Sequence, residues 1–572
     1  MEKRRMMLFP APVRTAKGTF WGYIDKKGEF AVQPIFQYAM DFQVNGLAVV
    51  EVNGQYGIIN EFGKFVVKPS YWSISDFEEG RAIVVNDKGS FVMNEQGKLL
   101  TSKPYTYIRT YQESRAVFSI MKNNTSLYGY LDLSGKEIIP AQYQTANNFQ
   151  NMTAIVQSVE RNFKLIDQKG AVKQTYNYPF VGMQGEGFLA FKEVDSYDAK
   201  FGVMTLAGNV MIPPTYSGFQ PFQNGLAVVN VAEDYTNKFG VINIEGKYVI
   251  QPIYNDVNLL GENRIAVGKA IQEDEPFRGS MFAVATSRGA LLTDFEFTQV
   301  LPYEKGFASA SNNESTFFIN RSGKVVQSLP ILKGSGTLSF EGDIIKANVD
   351  LRISYYTLTG QQIWKQNTVI PLSRKYKVLE GKFRPNQNYL VYYPQVEGMQ
   401  SDVLEKQVNQ QLRNLSMSKE SEENLANSEY TADFDIEFFK KQLLVLELHS
   451  YIYPFGAAHG MPSKVFPHID LQTGVFYQLK DLFKENSDYV TILSAIIQEQ
   501  IKTDEQYSYV FPDAYKGISP DQPFYVSEEA LYIYFLPYEI VPYAAGFPTF
   551  KIPYTQLETI LYKEGLFWKS FH

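Results

Sequence analysis

The chain contains no cysteine, which excludes disulfides, thiolate nucleophiles and zinc–sulfur sites together. Tryptophan is scarce, with 4 residues among 572. No run of about eighteen apolar residues occurs, so no segment reads as a membrane-spanning helix. A basic excess is also missing. Against 54 Lys and Arg stand 61 Asp and Glu, a net charge of −7. Such a surface cannot displace phosphate counterions well, so nucleic acid is not an expected partner. There is no G-x-S-x-G, phosphate-binding loop, dinucleotide fingerprint or H-E-x-x-H, and their absence argues against the main catalytic classes, any cofactor and any helical metal pair. The start, Met1-Glu2-Lys3-Arg4-Arg5-Met6-Met7-Leu8-Phe9, is basic like a leader, but Pro10 and Pro12 cut its apolar stretch short. The expected location is therefore extracellular or at the cell surface if a leader was removed, and otherwise cytoplasmic. The lack of cysteine fits either compartment.

What is present is a folded composition, 45% apolar and 20% charged, with 39 Tyr and 42 Phe. Rings in that number suit pleated sheets. The length exceeds what one core can organise, so more than one domain is expected.

The strongest signal is internal repetition. An aromatic-Gly pair followed by two apolar positions recurs at Trp21-Gly22, Tyr56-Gly57, Tyr128-Gly129, Phe201-Gly202 and Phe239-Gly240, with looser copies at Phe91, Phe163, Phe282, Phe317 and Tyr355. Turn glycines follow at 28, 63, 97, 135, 170, 208, 246, 289, 323 and 360. That spacing gives about ten repeats of roughly 37 residues. Asn53-Gly54 between two apolar runs matches a type I′ hairpin turn. Asp25-Lys26-Lys27-Gly28 reads as a type I turn closed by a left-handed glycine. The glycine of the aromatic pair leaves room for a ring from a neighbouring strand, and prolines 34, 69, 140, 214 and 252 close the next strand. Each repeat thus reads as a three-stranded meander that must stack on neighbours to bury its apolar face. The fold class is mainly β: an open or superhelical array, favoured because ten units exceed the four to eight blades typical of a propeller, with a propeller-like arrangement as the alternative.

These marks resemble the WG-repeat family over about residues 15 to 365, with Tyr or Phe in place of Trp in most copies. The resemblance implies an interaction scaffold without catalytic residues.

Near Pro371 the pattern changes. The domains expected are 1–370, the array, and 371–572, an α+β domain. In the second, 371–430 form a leading segment with a helix and a polar connection, and 431–562 a ligand-recognition core. Val403, Leu404, Val408, Leu412 and Leu415 share one helical stripe, as do Val490, Leu493, Ile496, Ile497 and Ile501. Residues 434–453 read as two strands, 524–526 and 530–536 as two more, and 554–561 as a short closing helix.

The segments Tyr453-Pro454-Phe455-Gly456-Ala457-Ala458-His459-Gly460, Asp470-Leu471-Gln472-Thr473-Gly474, Leu479-Lys480-Asp481-Leu482-Phe483 and Tyr538-Glu539-Ile540-Val541-Pro542-Tyr543 resemble a bacterial domain. It is found at the C-terminus of RsiV-type lysozyme-sensing anti-sigma factors and of some peptidoglycan deacetylases. This resemblance implies binding at the cell envelope, to a protein or a cell-wall glycan.

Four histidines occur, and three lie here: His449, His459 and His468. A strand pair could bring His449 and His468 together beside Asp470 as a metal site, although a polar contact is the commoner fate of a loop imidazole. His459 lies between Ala458 and Gly460, where backbone and ring can approach a ligand. With Tyr453, Tyr538 and Tyr543 it could line a saccharide or peptide pocket, rings stacking on the ligand's apolar face. Glu539 and Asp481 could in principle serve as an acid and base for glycoside cleavage, but no spacing brings them together. The function expected is thus a non-catalytic, envelope-associated binding or scaffold protein. The alternatives are a cell-wall hydrolase or accessory factor around His459, and a cytosolic interaction scaffold.

Overall fold

The computed structural model describes residues 7–234 and 236–572. Two compact units result. One comprises residues up to Pro12 together with Trp21–Lys365, and the other comprises Val13–Phe20 with Gln366–His572.

Among the described residues the first unit is built from ten small antiparallel sheets in chain order, three of them three-stranded and seven four-stranded. The second sheet shows the plan. A two-residue strand, Tyr38–Ala39, precedes the strands Leu47–Val52, Gln55–Asn60 and Phe65–Tyr71. The expected meander is therefore present, with a short extra strand at one edge of most sheets. At the hairpin, Asn53 and Gly54 take φ 52° and 72°, as a type I′ turn requires. At the turn before the third strand of the first sheet, the Gly28 amide donates to the Asp25 carbonyl at 3.0 Å. There the Asp25 carboxylate accepts from the Lys27 amide at 2.8 Å.

The aromatic-Gly pair has a sharper cause than ring packing alone. The third strand bulges where it passes the glycine, with register shifts between Tyr56 and Ile58. A Cβ on Gly57 would stand 2.7 Å from the Val67 carbonyl oxygen and 2.8 Å from the Pro69 nitrogen. Gly22 and Gly240 are crowded in the same way by Val32 with Pro34 and by Ile250 with Pro252. At Gly129 and Gly202 a ring also lies across the position, from Phe118 and Phe191. The prolines sit inside these edge strands instead of closing them, where a missing amide costs no ladder bond.

Each core is shared by two sheets. Val49 and Ile58 of the second sheet pack with Val84 and Phe91 of the third, and Val117 and Tyr130 of the fourth pack with Ala154 and Val156 of the fifth. The pairing continues around to the ends of the unit, where Phe9, Ala11 and Ile24 of the first sheet pack with Ile344 and Tyr355 of the tenth. Tyr355 donates to the Pro10 carbonyl at 2.8 Å, and its ring lies 5.5 Å from that of Phe9. The ten sheets therefore close on themselves in the propeller-like arrangement, not the open array that the repeat number favoured. Closure gives the first and tenth sheets the apolar partner that an open end would lack.

A second contact links neighbours along the ring. The carboxylate of Glu113, in the turn of the fourth sheet, accepts from the amides of Asn151 and Met152 in the corresponding turn of the fifth, both at 2.7 Å. Glu186 does the same for Asn224 and Gly225 at 2.6 and 2.8 Å. These amides belong to turns with two positive φ angles, 51° and 62° at Asn151 and Met152, whose N–H groups no strand satisfies.

The second unit is α+β. A long sheet runs in the order Val369–Pro371, Lys377–Asn386, Tyr389–Glu397, Ser428–Lys440, Leu443–Pro454, His468–Asp470 and Phe476–Tyr477, with Met461–Val465 also paired to Leu443–Pro454. The helix Asp402–Ser416 is capped by Ser401 and buries Val408 and Leu412. Helix Tyr489–Thr503 buries Leu493 and Ile497 against a three-stranded sheet of Phe524–Val526, Ala530–Tyr534 and Thr549–Pro553. The polar connection contains a short helix, Glu422–Ala426. The closing helix expected at 554–561 is a single 3-10 turn, Tyr554–Gln556, and the last helical turn falls at Leu566–Lys569. No helix among the described residues is long and apolar enough to cross a membrane.

Replacing Gly57 by Ala should destabilise the protein by about 1–3 kcal/mol, because the methyl group meets backbone that cannot rotate away. A lowered thermal midpoint checks this, and an unchanged midpoint would show that the bulge yields freely.

Candidate functional site

Strand alternation places Tyr451 and Tyr453 on one face of Leu443–Pro454, just before the turn that carries His459. The site forms where that turn meets the 3-10 turn Tyr543–Ala545. The His459 ring stacks on Tyr543, with centroids 4.2 Å apart, and faces Tyr538 at 6.4 Å. Tyr538 and Tyr543 are 5.7 Å apart. Three of the four residues expected to line a ligand surface thus meet directly. Tyr453 is held separately, its hydroxyl donating to the Ala457 carbonyl at 3.0 Å and bracing the turn.

The rings are positioned by backbone. Tyr543 donates to the Gly460 carbonyl at 3.0 Å, an oxygen that His459 Nδ1 also contacts at 3.0 Å. The Gly460 amide donates to the Tyr451 hydroxyl at 2.9 Å. Gly460 has no room for a side chain: a Cβ would fall 2.6 Å from the Tyr451 ring. Desolvation, then a hydrogen bond with Tyr451, holds the Tyr543 phenol above its ordinary pKa. Tyr538 takes φ 68°, a costly conformation for a bulky residue, while 52% of its surface stays exposed. The strained turn is secured by the Glu539 carboxylate, which accepts the Leu536 amide at 2.9 Å. Tyr451 is the member that sequence reasoning missed. Its spacing of two from Tyr453 was the available signal.

The carboxylates weighed as an acid–base pair are both occupied by backbone. Glu539 holds its own turn, and Asp481 accepts the Gln478 amide at 2.8 Å. The histidines weighed as metal ligands lie apart. His449 sits opposite Asp433 and Lys464, while His468 pairs with Val445 and Tyr477. Asp470 accepts from Gln472, Thr473 and the Tyr477 hydroxyl. No cluster of three or more His, Asp or Glu that could hold a metal occurs among the described residues.

A buried ion pair also lies in this unit. Arg14 is 4% exposed and pairs with Glu380 at 2.6 Å. It also donates to the Phe434 carbonyl, and its guanidinium lies 4.0 Å from the Phe434 ring centroid. Asp435 stands directly across from Glu447 and accepts from Thr19 at 3.2 Å. Burial raises Asp435 above the usual carboxylate range, partly opposed by Arg14 and His449.

Two family models match. WG containing repeat matches residues 21–56, 56–89, 128–158, 201–233 and 239–269. Protein of unknown function (DUF3298) matches residues 480–555, which contain Tyr538 and Tyr543. The chain therefore carries WG containing repeats in its N-terminal region and a DUF3298 domain toward its C-terminus. It is 26% identical over 183 residues to the peptidoglycan-N-acetylmuramic acid deacetylase PdaC of Bacillus subtilis, covering 30% of this chain and 39% of that protein. To the anti-sigma-V factor RsiV of the same organism it is 34% identical over 105 residues, 17% of this chain and 36% of that one. The chain thus spans well under half the length of either relative. A solved DUF3298 family structure from Bacteroides fragilis shares 17% identity at a TM-score of 0.27, covering 32% of this chain and 92% of that one.

The folded protein holds the Asp435 proton more tightly than the unfolded chain does, so stability falls as pH rises from the ordinary carboxylate pKa through the raised value. Asp435→Asn should remove that slope and raise the thermal midpoint at neutral pH. An equal or lower midpoint at pH 7 would show that Arg14 and His449 outweigh burial.

Proposed function

We propose that the protein is a non-catalytic binding protein of the bacterial cell envelope. The repeat unit serves as a platform, and residues 431–562 recognise a protein or cell-wall glycan on the surface formed by Tyr451, His459, Tyr538 and Tyr543. The observation that carries this reading is the exposed Tyr538 held in strained backbone beside two stacked rings. Such strain persists where surrounding contacts over-determine it, and it concentrates at ligand-binding positions. Flat rings with one polar tip each stack on a sugar or pack against a peptide at small entropic cost.

The relatives support an envelope setting, since one acts on peptidoglycan by name and the other is an anti-sigma factor. The absence of catalysis is supported by the occupied carboxylates. An extracellular or cell-surface location follows from the same reading.

Retention of the purified chain on peptidoglycan and on immobilised lysozyme tests the proposal. Binding to one of them is expected, and Tyr538→Ala should weaken it by about tenfold, the loss of one aromatic anchor. If neither material retains the chain, the envelope reading fails. If Tyr538→Ala is retained as well as the parent, the surface is misplaced. Hydrolysis of either material that is lost in His459→Ala would replace binding by catalysis.

A further inference from the structure

The repeats of the first unit differ in length, and the differences fall at one place. Between the strands Leu47–Val52 and Gln55–Asn60 of the second sheet, the hairpin is residues 53–54, and its equivalents in the third and fourth sheets are 87–88 and 123–124. In the next four sheets this hairpin widens to residues 158–162, 193–200, 231–238 and 271–279, and in the ninth it shrinks again to 312–314. Each hairpin follows the same strand of its sheet, so the four long ones stand side by side along one rim of the ring. Insertions gathered on one face of a repeat array commonly mark the face that meets a partner.

The hairpins are ordered. The Ser158 amide donates to the Asn162 carbonyl at 2.9 Å, Val231 to Lys238 at 3.1 Å and Ile271 to Gly279 at 3.0 Å. The Pro276 carbonyl accepts from the buried side chain of Asn255 at 3.0 Å. Lys200 of one hairpin lies 3.8 Å from Glu233 of the next. This ordered frame leaves apolar side chains in solvent. Tyr197 is fully exposed, and Val159, Val194, Ile271 and Phe277 are each at least half exposed. None of them adds to a core between sheets. Apolar exposure on neighbouring elements is a mark of an interaction surface.

Charge selects the partner. The four hairpins contain nine Asp and Glu against four Lys and Arg. An anionic lipid surface would be repelled, and so would the phosphates of a nucleic acid. A basic protein surface is complementary in sign, and its long side chains also carry apolar stems. We propose that this rim docks a cationic, amphipathic protein segment, one in which Lys or Arg alternates with aliphatic or aromatic residues. Its cations face the hairpin carboxylates, and its apolar side chains pack on Val194, Tyr197 and Phe277. The proposal rests on the reading of the repeat unit as a platform and is independent of the His459 surface.

Fluorescence anisotropy with the full chain tests it, using three labelled synthetic peptides of equal length. One alternates Lys and Leu, one Lys and Ser, and one Glu and Leu. The Lys–Leu peptide should bind saturably, about tenfold more tightly than the Lys–Ser peptide, and should weaken as salt is raised. The Glu–Leu peptide should not bind. The double variant Tyr197→Ser, Phe277→Ser should lose about tenfold in affinity, and so should Glu273→Lys with Asp274→Lys. These side chains are exposed, so the thermal midpoint should stay at that of the parent. Tyr538→Ala should bind the peptide as the parent does. No binding of the Lys–Leu peptide overturns the proposal. So do equal affinities for the Lys–Leu and Lys–Ser peptides, which would leave charge alone, and hairpin variants that bind as tightly as the parent. Binding lost in Tyr538→Ala but kept in the hairpin variants would assign the peptide to the His459 surface and reject this rim. Failure on peptidoglycan and lysozyme with the peptide still held at the hairpins would remove the envelope reading and support this one.

Discussion

The packing of one small sheet on the next is the constraint on which the repeat unit depends. A meander of three or four short strands presents apolar residues on both faces, and no such sheet can cover either face by itself. Val49 and Ile58 look toward the third sheet while Ala48 and Ile59, one residue along, look toward the first. Each fully buried aliphatic side chain contributes about 1.5–3 kcal/mol only if the neighbour is in place. An end sheet without a partner would expose one such face. The contact of Phe9, Ala11 and Ile24 with Ile344 and Tyr355 removes both ends at once. The glycines answer to a contact within each sheet. Where an edge strand bulges around its proline, the backbone comes so near the aromatic-Gly position that no side chain fits.

The two units use their polar groups differently. In the repeat unit the turn carboxylates Glu113 and Glu186 are engaged by the amides of the following turn, which leaves them structural. In the second unit, backbone holds Asp481 and Glu539 while rings are left at the surface. The strained Tyr538, the ring stack on Tyr543 and the Gly460 hinge of hydrogen bonds concentrate exposed aromatic surface at one place. The proposed binding role rests on that division.

Much of this was legible in the residues. The repeat number, the I′ hairpin at Asn53-Gly54 and the Asp25–Gly28 turn are local, and local chemistry dictates them. The helices at Asp402–Ser416 and Tyr489–Thr503 were visible because their stripes repeat with a helical period. Closure was not visible, since it depends on long-range contact between Phe9 and Tyr355, which no periodicity encodes. The meeting of His459, Tyr538 and Tyr543 could be suspected but not placed, because residues about 80 apart are joined only by tertiary packing. Arg14 was missed for the same reason: nothing near it in sequence announces that it pairs with Glu380. The expected helix at 554–561 failed because its apolar residues are used singly, Tyr554, Leu557 and Leu561 all burying into a core without a regular helix between them.

Amide hydrogen exchange across the repeat unit tests mutual support most directly. Central-strand amides of the first and tenth sheets, such as those of Ile24 and Ile345, should be protected to the same degree as those of Val156 and Leu189 in the middle sheets. All four should then be lost together in one cooperative transition. If Ile24 and Ile345 exchange early while the middle sheets stay protected, the sheets do not hold one another closed and the account is wrong.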